Sequence, residues 1–83
     1  MITVTVKLFA AYQEAYNRSE LVLELPDQAP VHIVGDRLIA EHPELEAWRD
    51  QTRYGINFQF VEPDALLHQG DEVVLIPPVS GGR

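Results

Sequence analysis

The sequence predicts an α+β domain: one mixed sheet of four to five strands, covered on one face by a single main helix and ending in a flexible tail. Three observations carry that expectation. The chain opens with two runs of strict alternation, its middle places apolar residues at helical spacing, and two further strand-like runs follow before Pro77-Pro78. A length of 83 residues holds one small domain, assigned to residues 1–78, with residues 79–83 as the tail. A chain this short buries only about 60–65% of the surface its unfolded form exposes, so a net stability of roughly 4–12 kcal/mol is expected.

In order, Ile2, Val4, Val6 and Leu8 share one face of the first run, and Thr3, Thr5 and Lys7 the other. Period two with β-branched residues is a strand with one buried and one wetter face. Ala10 to Tyr16 carries helix formers and ends near Asn17, giving a short helix or turn. Ser19 to Leu25 alternates again, with Leu21, Leu23 and Leu25 inward and Glu20 and Glu24 outward, so the first two strands form an antiparallel pair. Pro26 to Pro30 breaks that strand and prepares a helix.

From Val31 the period lengthens, and Val31, Val34 and Leu38 fit one helical stripe, with Leu45 beyond its end. Gly35 inside the stripe costs about 1 kcal/mol relative to Ala, or permits close packing on the sheet. His42-Pro43 ends the helix, because the residue before proline avoids the α region. Glu44 to Gln51 then makes a second short turn, with Trp48 folded back on the core. Tyr54 to Val61 reads as one strand with Ile56, Phe58 and Phe60 on one face. Turns at 62–64 and 69–71 bracket the connection to Glu72–Ile76, which is apolar enough for a central strand buried on both faces. One helix between two β pairs in so short a chain must cover a single sheet. That is the element order of a β-grasp, the ubiquitin-like architecture; Pro63 to Gln69 is too short for the second helix a ferredoxin-like fold needs.

Composition excludes several kinds of function. With no cysteine there is no disulfide framework, thiolate zinc site, iron–sulfur cluster or thiol nucleophile. A net charge of −7 opposes binding to nucleic acid or to an anionic membrane surface. No apolar run approaches the ~18 residues of a transmembrane helix, and the first residues form a strand pattern rather than a signal peptide. The expectation is a soluble, cytoplasmic protein.

Catalytic constellations are equally sparse. His32, His42 and His68 show no metal-binding spacing, so no metal site is expected. Glu41, Glu44, Glu46 and Asp50 read as a solvated face near a helix end. Ser19 and Ser80 have no identifiable base, and no glycine-rich phosphate loop follows a strand. The chain is therefore expected to lack catalytic residues of its own and to bind no cofactor.

The C-terminal stretch differs. Gly70 to Gly82 places a strand, two prolines and a diglycine in succession. Pro77 and Pro78 favour an extended exit, and the six residues Pro77 to Gly82 reach roughly 20 Å at about 3.3 Å each. Gly81 and Gly82 let backbone enter a channel too narrow for side chains.

With those residues in view, the chain resembles the family of small sulfur-carrier subunits of molybdopterin synthase, related to the thiamine-pathway sulfur carrier and to ubiquitin. The resemblance is specific over Tyr54 to Gly82, where Asn57, Phe60-Val61, Pro63-Asp64, Leu67, Gly70-Asp71-Glu72 and Pro77-Pro78-Val79-Ser80-Gly81-Gly82 match without a gap. The first strand followed by Phe9-Ala10 matches too, whereas Pro30 to Arg53 is generic. The resemblance implies that an activating enzyme related to the ubiquitin-activating adenylyltransferases uses ATP to adenylylate the Gly82 carboxylate. The adenylate becomes a thiocarboxylate, which donates sulfur to a cyclic pyranopterin in the large synthase subunit. Pro77, Pro78, Val79, Ser80 and Gly81 would enter that partner, and Phe58, Phe60 or Leu66 would anchor the docking unless the domain's own core takes them.

Arg83 departs from the pattern, because the carboxylate to be activated belongs to Gly82; the reading requires Arg83 to be absent or trimmed. Two alternatives stand beside it. One is a carrier of the same chemistry serving thiamine synthesis or tRNA thiolation. The other is a β-grasp interaction module whose tail is inert.

Overall fold

The alternating runs of the sequence become neighbouring strands in the computed structural model, which describes residues 1–77. Strand β1 (Ile2–Leu8) buries every second residue, and β2 (Glu20–Leu25) pairs with it antiparallel, Val4 opposite Leu23. Between them runs helix α1 (Ala10–Tyr16), closed by Asn17 in the left-handed conformation, which asparagine tolerates. Helix α2 (His32–Glu41) follows, then a 3-10 segment over Pro43–Gln51. Strands β3 (Arg53–Ile56), β4 (Gln59–Val61) and β5 (Glu72–Ile76) complete the sheet, ordered β2-β1-β5-β3-β4. Strands β1 and β5 are parallel and every other pair is antiparallel. This is the mixed five-stranded β-grasp sheet.

One face of the sheet holds the core. Val4, Val6 and Leu8 of β1, Val73 and Leu75 of β5, and Tyr54 of β3 meet Val34 and Leu38 of α2. Leu45 is buried in the same cluster although it lies past the helix, because the 3-10 segment turns it and Trp48 back on the core. A fully buried leucine contributes roughly 2 kcal/mol, so this segment is a structural clasp. Gly35 explains itself here: a Cβ at that position would lie 2.5 Å from the Tyr54 hydroxyl. The helix therefore sits close on β3. Its first N–H groups have no side-chain cap, and backbone carbonyls serve instead: Val31 N–H donates to Ala65 O at 2.7 Å and His32 N–H to Pro63 O at 3.0 Å.

Two expectations need correction. Tyr54 to Val61 is not one strand. Asn57 and Phe58 form a two-residue turn, both with positive φ, so β3 and β4 fold into a hairpin. Ile56 then packs against the core, whereas Phe60 pairs across from Gly55 on the other face and Phe58 stands at the turn. The second correction concerns β5. It is central, but only Val73 and Leu75 are fully buried; Val74 and Ile76 are half-buried, because α2 covers one face of the sheet and nothing in the described chain covers the other. The expected flexible tail at 79–83 lies outside the described residues.

Candidate functional site

The uncovered face of the sheet carries two exposed phenylalanines. Phe58 is 86% exposed and Phe60 68%. Around them, Gly55, Gln59, Val74 and Ile76 line a hollow of about 180 Å³. The hollow exists because Gly55 has no side chain. A Cβ there would meet the Val74 side chain at 2.6 Å, so the pairing of β3 with β5 both requires glycine and leaves a dimple above it. A second hollow on the other flank of Phe58 is lined by Lys7, Leu8, Phe9, Gln13, Ser19, Glu72 and Val74. Phe58 is thus a ridge between two depressions.

The turn that raises this ridge is bolted to the start of β5. Asn57 N–H donates to Glu72 O at 2.8 Å, and Glu72 N–H donates back to Asn57 Oδ1 at 2.9 Å. Asn57 Nδ2 donates to Asp71 Oδ1 at 2.9 Å, while Asp71 Oδ2 accepts from His68 N–H at 2.8 Å. Gly70 takes φ +84° in the preceding turn, a region open to glycine, and its N–H donates to Thr3 O at 2.8 Å. The hairpin tip, the 68–71 turn and the edge of β1 are therefore one braced unit.

Charge rims the face. Lys7 Nζ lies 2.7 Å from Glu20 Oε1; their hydrogen bond and mutual attraction raise the lysine pKa and lower that of the glutamate. Both stay ionised at neutral pH. On the opposite side of the molecule, Arg49 bridges Asp36 of α2 and Glu46 of the 3-10 segment. Each histidine sits beside a different carboxylate: His32 with Asp36, His42 with Glu44, His68 with Asp71. Among the described residues no three His, Cys, Asp or Glu side chains converge as a metal site would need, and no helix is long and apolar enough to cross a membrane.

Leu66, grouped with the two phenylalanines as a docking candidate, is 48% exposed but lies elsewhere. It bridges to Pro30 near the start of α2 and lines neither hollow. Pro77 is buried at the end of β5, directly after Ile76 in the dimple. Pro78, Val79, Ser80, Gly81 and Gly82 lie outside the described residues. Gly55 and Asn57 were absent from the docking candidates; Gly55 gives no sequence signal until its pairing with Phe60 and Val74 is known.

What the chain shares with other proteins now has a geometric setting. Residues 6–82 match the ThiS family. The chain belongs to that family. The match spans the domain from β1 and continues through the diglycine. Among curated relatives of this ThiS-family chain, the molybdopterin synthase sulfur carrier subunit of Chlamydomonas reinhardtii is 35% identical over 81 residues, covering 95% of this chain and 98% of its own. The solution structure of small archaeal modifier protein 1 from Methanosarcina acetivorans is 30% identical, with a TM-score of 0.78 over 99% of this chain and 98% of that one. A chain from the complex of subunits 1 and 2 of the molybdopterin-converting factor of Helicobacter pylori shares the fold, at 21% identity and a TM-score of 0.65 over 98% and 100% of the two chains.

Proposed function

We propose that this chain is the sulfur carrier subunit of molybdopterin synthase, acting through the carboxylate of Gly82. The observation that carries the reading is the ThiS-family match running through Gly82, on a domain whose central strand β5 leads straight into the terminal segment. A carboxylate is a poor electrophile. Attack of a Gly82 oxygen on the α-phosphorus of ATP, in the active site of an adenylyltransferase, releases pyrophosphate and leaves an acyl-adenylate. A hydrosulfide equivalent then attacks the carbonyl and displaces AMP, giving the thiocarboxylate with no change of oxidation state. Glycine suits this position because no side chain crowds the carbonyl. The thiocarboxylate enters the large synthase subunit and transfers its sulfur to a cyclic pyranopterin substrate.

In this reading the chain contributes presentation rather than acid–base chemistry. The braced β5 holds the base of the tail, and the apolar sheet face with Phe58, Phe60 and Ile76 seats the large subunit. A surface of net charge −7 favours encounter with a basic partner face. Activation requires a chain ending at Gly82, so Arg83 must be absent or trimmed. The subunit 1 and 2 complex from Helicobacter pylori supports the choice of partner.

The test is adenylylation of a variant ending at Gly82 by a competent activating enzyme with ATP. The reading expects pyrophosphate release that depends on this chain. No release from the Gly82-terminated chain, with the enzyme active on its own carrier, overturns it. Copurification with a molybdopterin synthase large subunit separates this reading from a carrier for thiamine synthesis or tRNA thiolation.

A further inference from the structure

The β3–β4 turn holds a side chain its own backbone disfavours. Asn57 and Phe58 have φ of +50° and +73°. A two-residue hairpin loop with both central residues at positive φ is the mirror-image turn that favours Asn-Gly. Asparagine fits the first position. Phenylalanine at the second does not, because in the left-handed region an L side chain crowds the following carbonyl oxygen. Nothing within the described chain repays this, since the Phe58 ring is 86% exposed. Glycine would relieve the turn. Backbone held in such a sparsely populated conformation, with the ring exposed, points to use by something outside the chain.

The turn that carries the ring is braced from beneath. Asn57 makes three hydrogen bonds to Asp71 and Glu72, which anchor the turn to the first residue of β5. Phe58 walls the dimple over Gly55 together with Phe60, Val74 and Ile76. Ile76 immediately precedes Pro77, and the chain from Pro77 to Gly82 spans at most about 20 Å. A protein that closes over the Gly82 carboxylate must therefore rest against the domain near the end of β5, where Ile76 walls the dimple; Phe58 walls the same dimple from the turn beside the start of β5.

We propose that Phe58 is a specificity-determining anchor for the large synthase subunit, presented by a strained turn whose positioning residue is Asn57. The ring enters an apolar pocket of that subunit, and an apolar side chain of the subunit fills the dimple over Gly55. This rests on the carrier reading above. Exposed, pre-positioned aromatic rings are the residues that dominate interface energetics, and the stability forgone in the turn is the counterpart of that recognition.

Two opposed readouts test it on the Gly82-terminated chain: affinity for the large subunit of the same organism by titration calorimetry, and thermal midpoint. Phe58→Gly is expected to weaken binding tenfold or more while the midpoint holds or rises by a few degrees. Phe58→Asn, which also tolerates positive φ, should behave alike, and Phe58→Leu should recover part of the affinity. An affinity within twofold of the parent overturns the anchor. So does lost binding that tracks a lowered midpoint in both Phe58→Gly and Phe58→Asn, because the ring would then be structural. If the parent chain itself fails to bind the large subunit, the carrier reading fails and takes the anchor with it.

Discussion

Asn57 supports the β3–β4 turn in two separable ways, through its side-chain hydrogen bonds and through its tolerance of positive φ, and two substitutions divide them. Asn57→Gly keeps the backbone preference but removes the bonds to Asp71 Oδ1 and from Glu72 N–H, both 2.9 Å long. These bonds are exposed, so each falls in the lower part of the usual range, about 0.5–1 kcal/mol. The expected loss is about 1–2 kcal/mol. Asn57→Ala removes the same bonds and adds an L side chain at φ +50°, costing about 1 kcal/mol more. Urea unfolding with an unchanged m-value reads both, and the thermal midpoint should fall roughly 4–8 °C per kcal/mol in a domain of this size. Asn57→Asp adds a sign test. It sets a second carboxylate against Asp71 in place of the amide that donates to it. The variant should therefore be less stable than Asn57→Gly at neutral pH, with the difference shrinking as salt screens the two like charges. Equal stabilities for the Gly and Ala variants would refute the backbone argument. A loss under about 0.5 kcal/mol in both would refute the bracing itself.

Three other outcomes follow from the packing and the titrating groups. Gly35→Ala should destabilise, because the new Cβ would lie 2.5 Å from the Tyr54 hydroxyl; in a Tyr54→Phe background the same change should become neutral or stabilising by up to about 1 kcal/mol, as helix propensity then decides. A Gly35→Ala cost unaltered by Tyr54→Phe would contradict that account. Burial raises the pKa of Tyr12, Tyr16 and Tyr54, with the Glu41 carboxylate adding to the rise at Tyr16. Their contribution is complete below the unfolded value near 10 and lost as pH climbs beyond it, so the thermal midpoint should stay level to about pH 9 and then fall. Folded-state ultraviolet titration showing all three tyrosines ionising normally would refute it. Deleting Gly81 and Gly82 from the Gly82-terminated chain should leave the midpoint unchanged while abolishing adenylate formation; a marked loss of stability would mean the tail packs on the domain.

Most of the fold was legible because periodicity records which face is buried. Ile2 to Leu8 declares its buried face by alternation, and Val34 and Leu38 declare theirs at helical spacing. The two misreadings share a cause. Aromatic and β-branched residues from Tyr54 to Val61 favour a strand, and Asn57-Phe58 lacks the glycine that marks a tight hairpin, so the turn stayed hidden. Likewise Val73 to Ile76 reads as buried on both faces, but burial of Val74 and Ile76 depends on what covers the open side of the sheet. That same uncovered side holds the dimple over Gly55, which exists only once β3, β4 and β5 are paired. The parallel pairing of β1 with β5 is non-local and leaves no local trace. Residues of the chain's own core were therefore readable, whereas those on the uncovered face either broke the local rule, as Phe58 does, or were silent, as Gly55 is.

The most direct test of the carrier reading is the mass of the intact chain and of its C-terminal fragment, recovered from its own cells while molybdenum cofactor is being made. The account predicts a chain ending at Gly82 with one terminal oxygen replaced by sulfur. The shift must be placed on the C-terminal fragment, because oxidation of Met1 changes the intact mass almost equally. A chain still carrying Arg83, with no sulfur at its terminus under those conditions, would contradict the account and leave a β-grasp interaction module with an inert tail.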